Sequence, residues 1–307
     1  MPTLIAAGEF FHDLIFFDLK SLPAMGEELK TDSFRLTFGG GAAITAAAAS
    51  QLGRATEIVT VWGDSPLDKD VRQHLSKLGV AASCSAVIQG SRAGLTVSVS
   101  TRDDRYFLTH PGANSHVESH LLKPETLSAA ACGDHLHFAL APTRWAPFQD
   151  LVVQLKKESV TTSWDLGWDP RAASGQAFER LRATLDVLFL NQMEAIRYTA
   201  SADLQGALQA LSRQQNTVVV KLGSQGAVAC RGQEQIWAEP VPVDALETTG
   251  AGDAFNGGFL HYWMKGSPLA DCLLAGNICG AASTRAPGGI ESLPSKEEFQ
   301  ARWNALQ

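Results

Sequence analysis

Five short runs constrain the fold most: TLIAAG (3–8), DHLHFAL (134–140), VTTSWDLG (160–167), DVLFLN (186–191) and NTVVVKLG (216–223). Each is strand-length and mostly apolar, and most close on a glycine or polar turn. Strands that are apolar on both sides must be covered on both faces. Helical stretches separate most of them, so the rhythm predicts a parallel sheet between two helical layers.

The intervening segments support this reading. AAITAAAASQLG (42–53) is a helix of small residues with Gly53 as its stop. TEIVTVWG (56–63) reads as a further strand, followed by a helix through LDKDVRQHLSKLG. From there to about residue 112 the pattern alternates, as in LTVSVSTRDDRYFLTH, which predicts antiparallel strands with one wet face. Three helices close the chain at about 252–265, 268–285 and 295–304, the last two opened by caps in SPLAD and SKEE. No linker or repeat interrupts the chain. The economical organisation is one α/β domain over 1–307, with a small β-rich attachment from about 13–38 and 94–110. Ligands of such sheets bind where the strands end, so the loops there are the ones to read.

The 307 residues carry a net charge of -7. That argues against nucleic acid or a membrane surface as partner. No run approaches a membrane span. The five cysteines, Cys84, Cys132, Cys230, Cys272 and Cys279, are scattered, odd in number and without a CxxC pair. A reducing cytoplasmic setting follows. The start MPTLIAAGEFFHD lacks a basic region and does not read as a signal peptide.

The stretch ETTGAGDAFNGGF (247–259) carries the chemistry. Phe255, Phe259, Tyr262 and Trp263 recur at helical spacing, which starts a helix near Gly252 or Asp253. Gly250, Ala251 and Gly252 then sit at its N-terminus, where backbone N–H groups lack partners and the dipole is positive. This is an anion hole of phosphate size. Asp253 is either a first-turn acid favouring the dipole or a general base beside the anion.

TTGAGDAFNGGF resembles the C-terminal signature of the PfkB (ribokinase-like) carbohydrate kinases. FGGGAAITAAAASQLG, GLTVSV…HPGAN, NQME, VVVKLGSQGA and NICGAASTRAPGGIESLP resemble that family's other motifs, in order, across essentially the whole chain. The resemblance implies a ribokinase-like three-layer α/β/α sandwich with a mainly parallel sheet, the attachment serving as a small β-rich lid. It implies ATP-dependent transfer of the γ-phosphate to a hydroxyl of a small sugar or sugar derivative, Asp253 acting as base and Gly250, Ala251 and Gly252 holding the phosphoryl charge. A nucleoside kinase of the same family, or a binding protein that keeps the fold without turnover, are the alternatives. A homodimer through the lid is implied as well.

The same resemblance assigns nucleotide and magnesium positions. Asn191 and Glu194 match NxxE, which organises magnesium largely through water, and Asn-x-x-Glu is equally a capping box. Lys221, Gly223 and Gly226 fall beside the nucleotide, in what is also a strand–turn–strand hairpin, and Asn277 aligns with a position near it. Glu247, Thr249, Ser283, Ala286, Gly288 and Ser292 match a monovalent-cation (potassium) site, with Glu247 where the family has aspartate.

On the acceptor side, Asp13 matches the sugar-binding aspartate, with Gly39, Gly40, Gly41, Asn114 and Asp165 as further contacts and Trp168 and Arg171 as contributors. Two family asparagines are replaced by Phe11 and Ile44, so ribose is not the expected acceptor. Asp165–Pro170 also reads as a capped turn. Arg92, Arg102, Arg105 and Arg144 are ordinary surface cations unless the acceptor carries a phosphate. His116 and His120, at i, i+4, lack a third metal ligand nearby, and His135 and His137 share one strand face.

Overall fold

The computed structural model describes residues 3–101, 105–126, 132–167, 176–212 and 215–307. Its first half runs β1 (Leu4–Gly8), β2 (Phe11–Leu19), β3 (Phe34–Gly39), α1 (Gly41–Gln51), β4 (Thr56–Val59), β5 (Val61–Trp62) and α2 (Pro66–Lys77). It continues through β6 (Val80–Ala81), β7 (Ala86–Val87), β8 (Leu95–Thr101), β9 (Arg105–His110) and α3 (Val117–Leu121). Alternation then becomes regular: β10 (His135–Ala139), α4 (Trp145–Lys157), β11 (Thr161–Asp165), α5 (Gln176–Thr184), β12 (Val187–Asn191), α6 (Gln192–Tyr198), α7 (Leu204–Leu211) and β13 (Thr217–Lys221). The chain ends in β14 (Ala227–Arg231), β15 (Glu234–Ala238), α8 (Ala251–Trp263), α9 (Leu269–Ser283) and α10 (Lys296–Leu306).

The central sheet has nine strands in the order β15-β14-β13-β12-β11-β10-β1-β4-β6. From β6 to β13 every pairing is parallel; β14 and β15 add an antiparallel edge. The five apolar runs are all in the sheet. Their side chains alternate between two buried layers: Leu188 and Leu190 pack with α4–α7, whereas Val187 and Phe189 pack with α8 and α9. Burial on both faces is why these strands read as continuous apolar runs. The small residues of α1 pack on the second side, beside Ala254 of α8.

A second, four-stranded sheet has the order β3-β2-β8-β9 and comes from the two segments set apart in the sequence. Its outer pairs are antiparallel, as expected, but the central β2–β8 pair is parallel. The two hairpin-like segments lie side by side with β2 and β8 running the same way, a pairing no local pattern encodes. The register places Phe34, Phe16, Val99 and Tyr106 in one row and Leu36, Leu14, Val97 and Leu108 in the next, on one face. Leu108 is 71 % exposed and Leu36 50 %. The wet face is therefore apolar.

Two smaller expectations change. TEIVTVWG breaks at Thr60: β4 stays in the main sheet while β5 pairs with β7 in a separate ribbon. Ser267 does not cap α9; Pro268 is the capping position and supplies no side-chain bond. The Ser295–Glu298 capping box of α10 is present as expected.

Candidate active site

The C-terminal ends of β1, β10, β11, β12 and β13 converge with the N-terminus of α8. Gly250 caps α8 at φ +77, a left-handed conformation that glycine adopts without strain. A Cβ on it would lie 2.6 Å from Ile44 Cδ1. Ala251 N–H turns back to Thr248 O at 3.3 Å, but no protein acceptor among the described residues meets the N–H groups of Gly250, Gly252 and Asp253. The hole is thus formed by the residues around Ala251 more than by Ala251 itself. Thr45 Oγ1 donates to Asp253 O at 3.1 Å and ties this turn to α1.

Asp253 faces the start of α1. A Cβ on Gly41 would stand 2.9 Å from Asp253 Oδ1 and 2.9 Å from the Ala139 Cβ, so glycine keeps the carboxylate's space open. Gly39 does the same for Asp13: a Cβ there would run into Asp13 Oδ2. Gly40, at φ +98, is the N-cap of α1 and sits against Glu9 O and Phe10. Asp13, Gly39, Gly40, Gly41 and Asp253 are therefore brought together as the sequence predicts.

Behind Asp253 lies a largely buried charged pair, with side chains 14% and 11% exposed. Lys221 Nζ, at the end of β13, donates to Asp165 Oδ2 at 2.6 Å. Asn256 Nδ2 donates to the same oxygen at 2.7 Å, and its Oδ1 lies 3.4 Å from Lys221 Nζ. Burial alone would raise Asp165, but Lys221 and the Asn256 hydrogen bond outweigh it and hold the carboxyl below its ordinary value. Burial would lower Lys221, but Asp165 and then Asp253 outweigh it and raise the ammonium. Both groups stay charged. Asp165 thus points to Lys221 rather than to an acceptor; its other oxygen accepts from Gly167 N at 3.4 Å, the turn foreseen as the alternative. Trp168, Arg171 and Arg102 lie outside the described residues.

Burial, reinforced by Asp165 and opposed by Lys221, raises Asp253 from an ordinary 3.8 to about 7. Glu194 is likewise raised to about 7, by burial and then by Asp165. Burial, followed by Glu247 and Asp253, raises Asp13 to about 7. Such values suit groups that exchange protons near neutrality.

Asn191 and Glu194 form a reciprocal capping box on α6: Glu194 N donates to Asn191 Oδ1 at 2.9 Å and Asn191 N to Glu194 Oε2 at 2.8 Å. Glu194 Oε1 has no protein donor among the described residues. Gly223 and Gly226 bound the short Gly223–Gln225 turn between β13 and β14. Asn277 donates to Glu239 O at 2.8 Å, holding the chain where it leaves β15. Asn114 spends its amide on one residue, accepting from Phe10 N at 3.0 Å and donating to Phe10 O at 2.6 Å. It braces the β1–β2 turn, with one N–H and one lone pair of the amide still uncommitted to Phe10.

The six cation-site positions gather as a hydrogen-bonded clasp. Glu247 Oε1 accepts from Thr249 N and Oγ1 at 2.7 and 2.6 Å, and Oε2 accepts from Gly288 N at 3.3 Å. Ser292 Oγ donates to Ser283 O at 2.9 Å, and Arg285 Nη2 donates to Ser292 O at 3.1 Å. Ala286 adjoins this loop without a bond of its own. Donors thus already meet both carboxylate oxygens and the Ser283 and Ser292 carbonyls, and a monovalent cation here would compete with them.

Among the described residues, no group of three His, Cys, Asp or Glu side chains is placed to hold a metal. His120 Nε2 bonds Cys84 O at 2.9 Å. His135 and His137 are buried on one face of β10, both bonded to Ser163 Oγ. No described helix is long and apolar enough to cross a membrane, and no disulfide joins the cysteines among the described residues. Sequence reasoning missed Asn256. Its signal was a polar residue three positions after Asp253 inside a buried apolar helix.

The nine-stranded, mainly parallel sheet covered by helices on both faces, with a small second sheet, is the ribokinase fold. Ribokinase from Arabidopsis thaliana, solved with ribose and ATP, superposes with a TM-score of 0.82 at 22% identity over 98% of each chain. The pattern of the pfkB family carbohydrate kinases matches residues 1–296, and the chain belongs to that family. Ribokinase from Haemophilus influenzae is 24% identical over 280 residues, covering 89% of either chain. Fructoselysine 6-kinase from Escherichia coli K12 is 28% identical over 258 residues, 82% of this chain and 91% of that one.

Proposed function

We propose that this protein transfers the γ-phosphoryl group of ATP to a hydroxyl of a small sugar or sugar derivative. The observation that carries the reading is Asp253: a half-buried carboxyl raised to about 7, set in the first turn of α8 where, among the described residues, the N–H groups of Gly250, Gly252 and Asp253 meet no protein acceptor. ATP supplies the phosphoryl group and magnesium neutralises its charge. Glu194, with Oε1 free, and Asn191 would hold the metal through water. Gly250 leaves open a cradle that a Cβ would fill, which suits a phosphoryl group against the backbone.

Asp253 takes the proton of the acceptor hydroxyl as the new O–P bond forms and the bond from the γ-phosphorus to the bridging oxygen of ADP breaks. The N–H groups of Gly250, Gly252 and Asp253 stabilise the charge on the transferring group. Lys221 holds Asp165 ionised and lowers Asp253 enough for the base to be present at neutral pH. The four-stranded sheet would close over the acceptor as a lid and exclude water. Its exposed rows of Phe34, Leu36, Tyr106 and Leu108 suit pairing with a second copy. Light scattering tests that pairing, with Leu108→Glu expected to give a monomer.

The function is tested by incubating the protein with ATP, magnesium and a panel of sugars, sugar phosphates and nucleosides, and following ADP. Release that depends on a sugar supports the reading; release on nucleosides alone, or on nothing, contradicts it.

A further inference from the structure

A cavity of about 270 Å³ lies between the β1–β2 turn, the Pro111–Ser119 segment and the loop after β10. That is room for roughly nine water-sized groups. Its wall is linked to the Asp253 site through Ala139. Ala139, whose methyl limits the same space at Gly41 as Asp253 does, accepts from Glu9 N at 3.4 Å, and Leu140 and Ala141 follow it into the cavity.

The charges lining this cavity are unequal in what they are doing. Glu118 is fully engaged, accepting from Thr143 N at 2.8 Å, from Thr143 Oγ1 and from Arg144 Nε at 3.1 Å. Arg144 sits at the mouth with its side chain 64% exposed. Glu9 is different: its carboxylate has no hydrogen bond or ion pair among the described residues, and burial alone raises its pKa. Half-buried and lining the cavity, this carboxylate is presented to whatever fills it, and a cationic group there would supply the partner it lacks. Asp13 and Asp253 add further negative charge on the acceptor side, while Lys221, the cation acting on Asp253, is taken by Asp165.

We propose that this cavity receives the part of the acceptor beyond its reacting hydroxyl, and that Glu9 pairs there with a protonated amine. The favoured acceptor class is then an amine-bearing sugar, and a phosphorylated sugar is disfavoured. This rests on the kinase reading for the meaning of acceptor, but the binding it predicts is measurable without turnover.

The test is calorimetric binding of 1-amino-1-deoxyfructose and 2-amino-2-deoxyglucose, each against its hydroxyl counterpart fructose or glucose, to the full chain and to Glu9→Gln. At least one amine sugar should bind about tenfold more tightly than its counterpart, the scale of one partly buried charge pair. In Glu9→Gln that ratio should fall to near one while the neutral sugar's Kd stays put. Glu9 makes no side-chain bond among the described residues and is raised by burial, so the variant should fold with a Tm no lower than the wild type. Neutral sugars binding as well as the amines, amine sugars not binding, or a ratio that survives Glu9→Gln would each overturn the proposal. ADP release with the same sugars is read separately: its absence with every acceptor tells against the kinase reading, whereas turnover of neutral sugars without amine preference tells only against Glu9.

Discussion

Lys221 Nζ donates to Asp165 Oδ2 at 2.6 Å, and this pair sets the electrostatics in which Asp253 sits. The two members act on Asp253 in opposite directions: Asp165 raises its pKa and Lys221 lowers it. Asp253 must be ionised to accept a proton, so kcat/KM should rise with pH through an acid limb near 7. Lys221→Met should move that limb to higher pH and Asp165→Asn to lower pH. Lys221→Met also strands a buried carboxylate, and should cost about 3–5 kcal/mol in urea unfolding. Limbs that shift in the same direction would contradict the assignment.

Asp253 should be a stability cost as well as a base. Its folded pKa lies above its unfolded value, so the folded state favours the protonated form. Its stabilising effect is full below about pH 4 and is lost as pH rises through about 7. Asp253→Asn should therefore raise Tm by a few degrees at pH 8 and leave it unchanged near pH 4. Thermal unfolding of both proteins at the two pH values checks this, and equal Tm values at pH 8 would count against a raised pKa.

Gly41 is predicted to be catalytic in effect without touching substrate chemistry. Its absent side chain leaves the space beside Asp253 Oδ1 and Ala139. Gly41→Ala should displace the carboxylate and lower kcat by roughly 10²-fold, the scale of a base misplaced by about 1 Å. The stability loss should be about 1–3 kcal/mol, as for other overpacked sites. A variant with normal kcat would show that the carboxylate has slack.

Exchange of potassium for choline should leave kcat/KM unchanged. Glu247 spans from Thr249 to Gly288 and so joins with its own carboxylate the two loops that a cation would join. Steady-state assays in the two salts at equal ionic strength decide the point. A clear loss in choline would mean that the clasp opens to admit the ion.

The parts legible in the sequence were those written in local chemistry. β1, β10, β11, β12 and β13 announced themselves because burial on both faces demands unbroken apolar runs. The α8 turn did so because glycines crowd one carboxylate, and the Asn191–Glu194 box because its reciprocal bonds need only a fixed spacing. What stayed hidden depends on partners distant in the chain. Lys221 and Asp165 are 56 residues apart, and nothing near either states that they meet. The paired bonds of Asn114 to Phe10, 104 residues away, are equally unannounced. The parallel β2–β8 pairing and the empty space around Glu9 are likewise properties of assembled segments.

The most direct test of the central claim is acceptor-dependent ADP formation by the wild-type protein and by Asp253→Asn, with ATP and magnesium, across the sugar panel. The wild type should release ADP only when a sugar acceptor is present, and Asp253→Asn should lose at least about 10²-fold in kcat, the usual scale for loss of a general base. An Asp253→Asn variant that phosphorylates the same sugar at near wild-type rate would contradict the account.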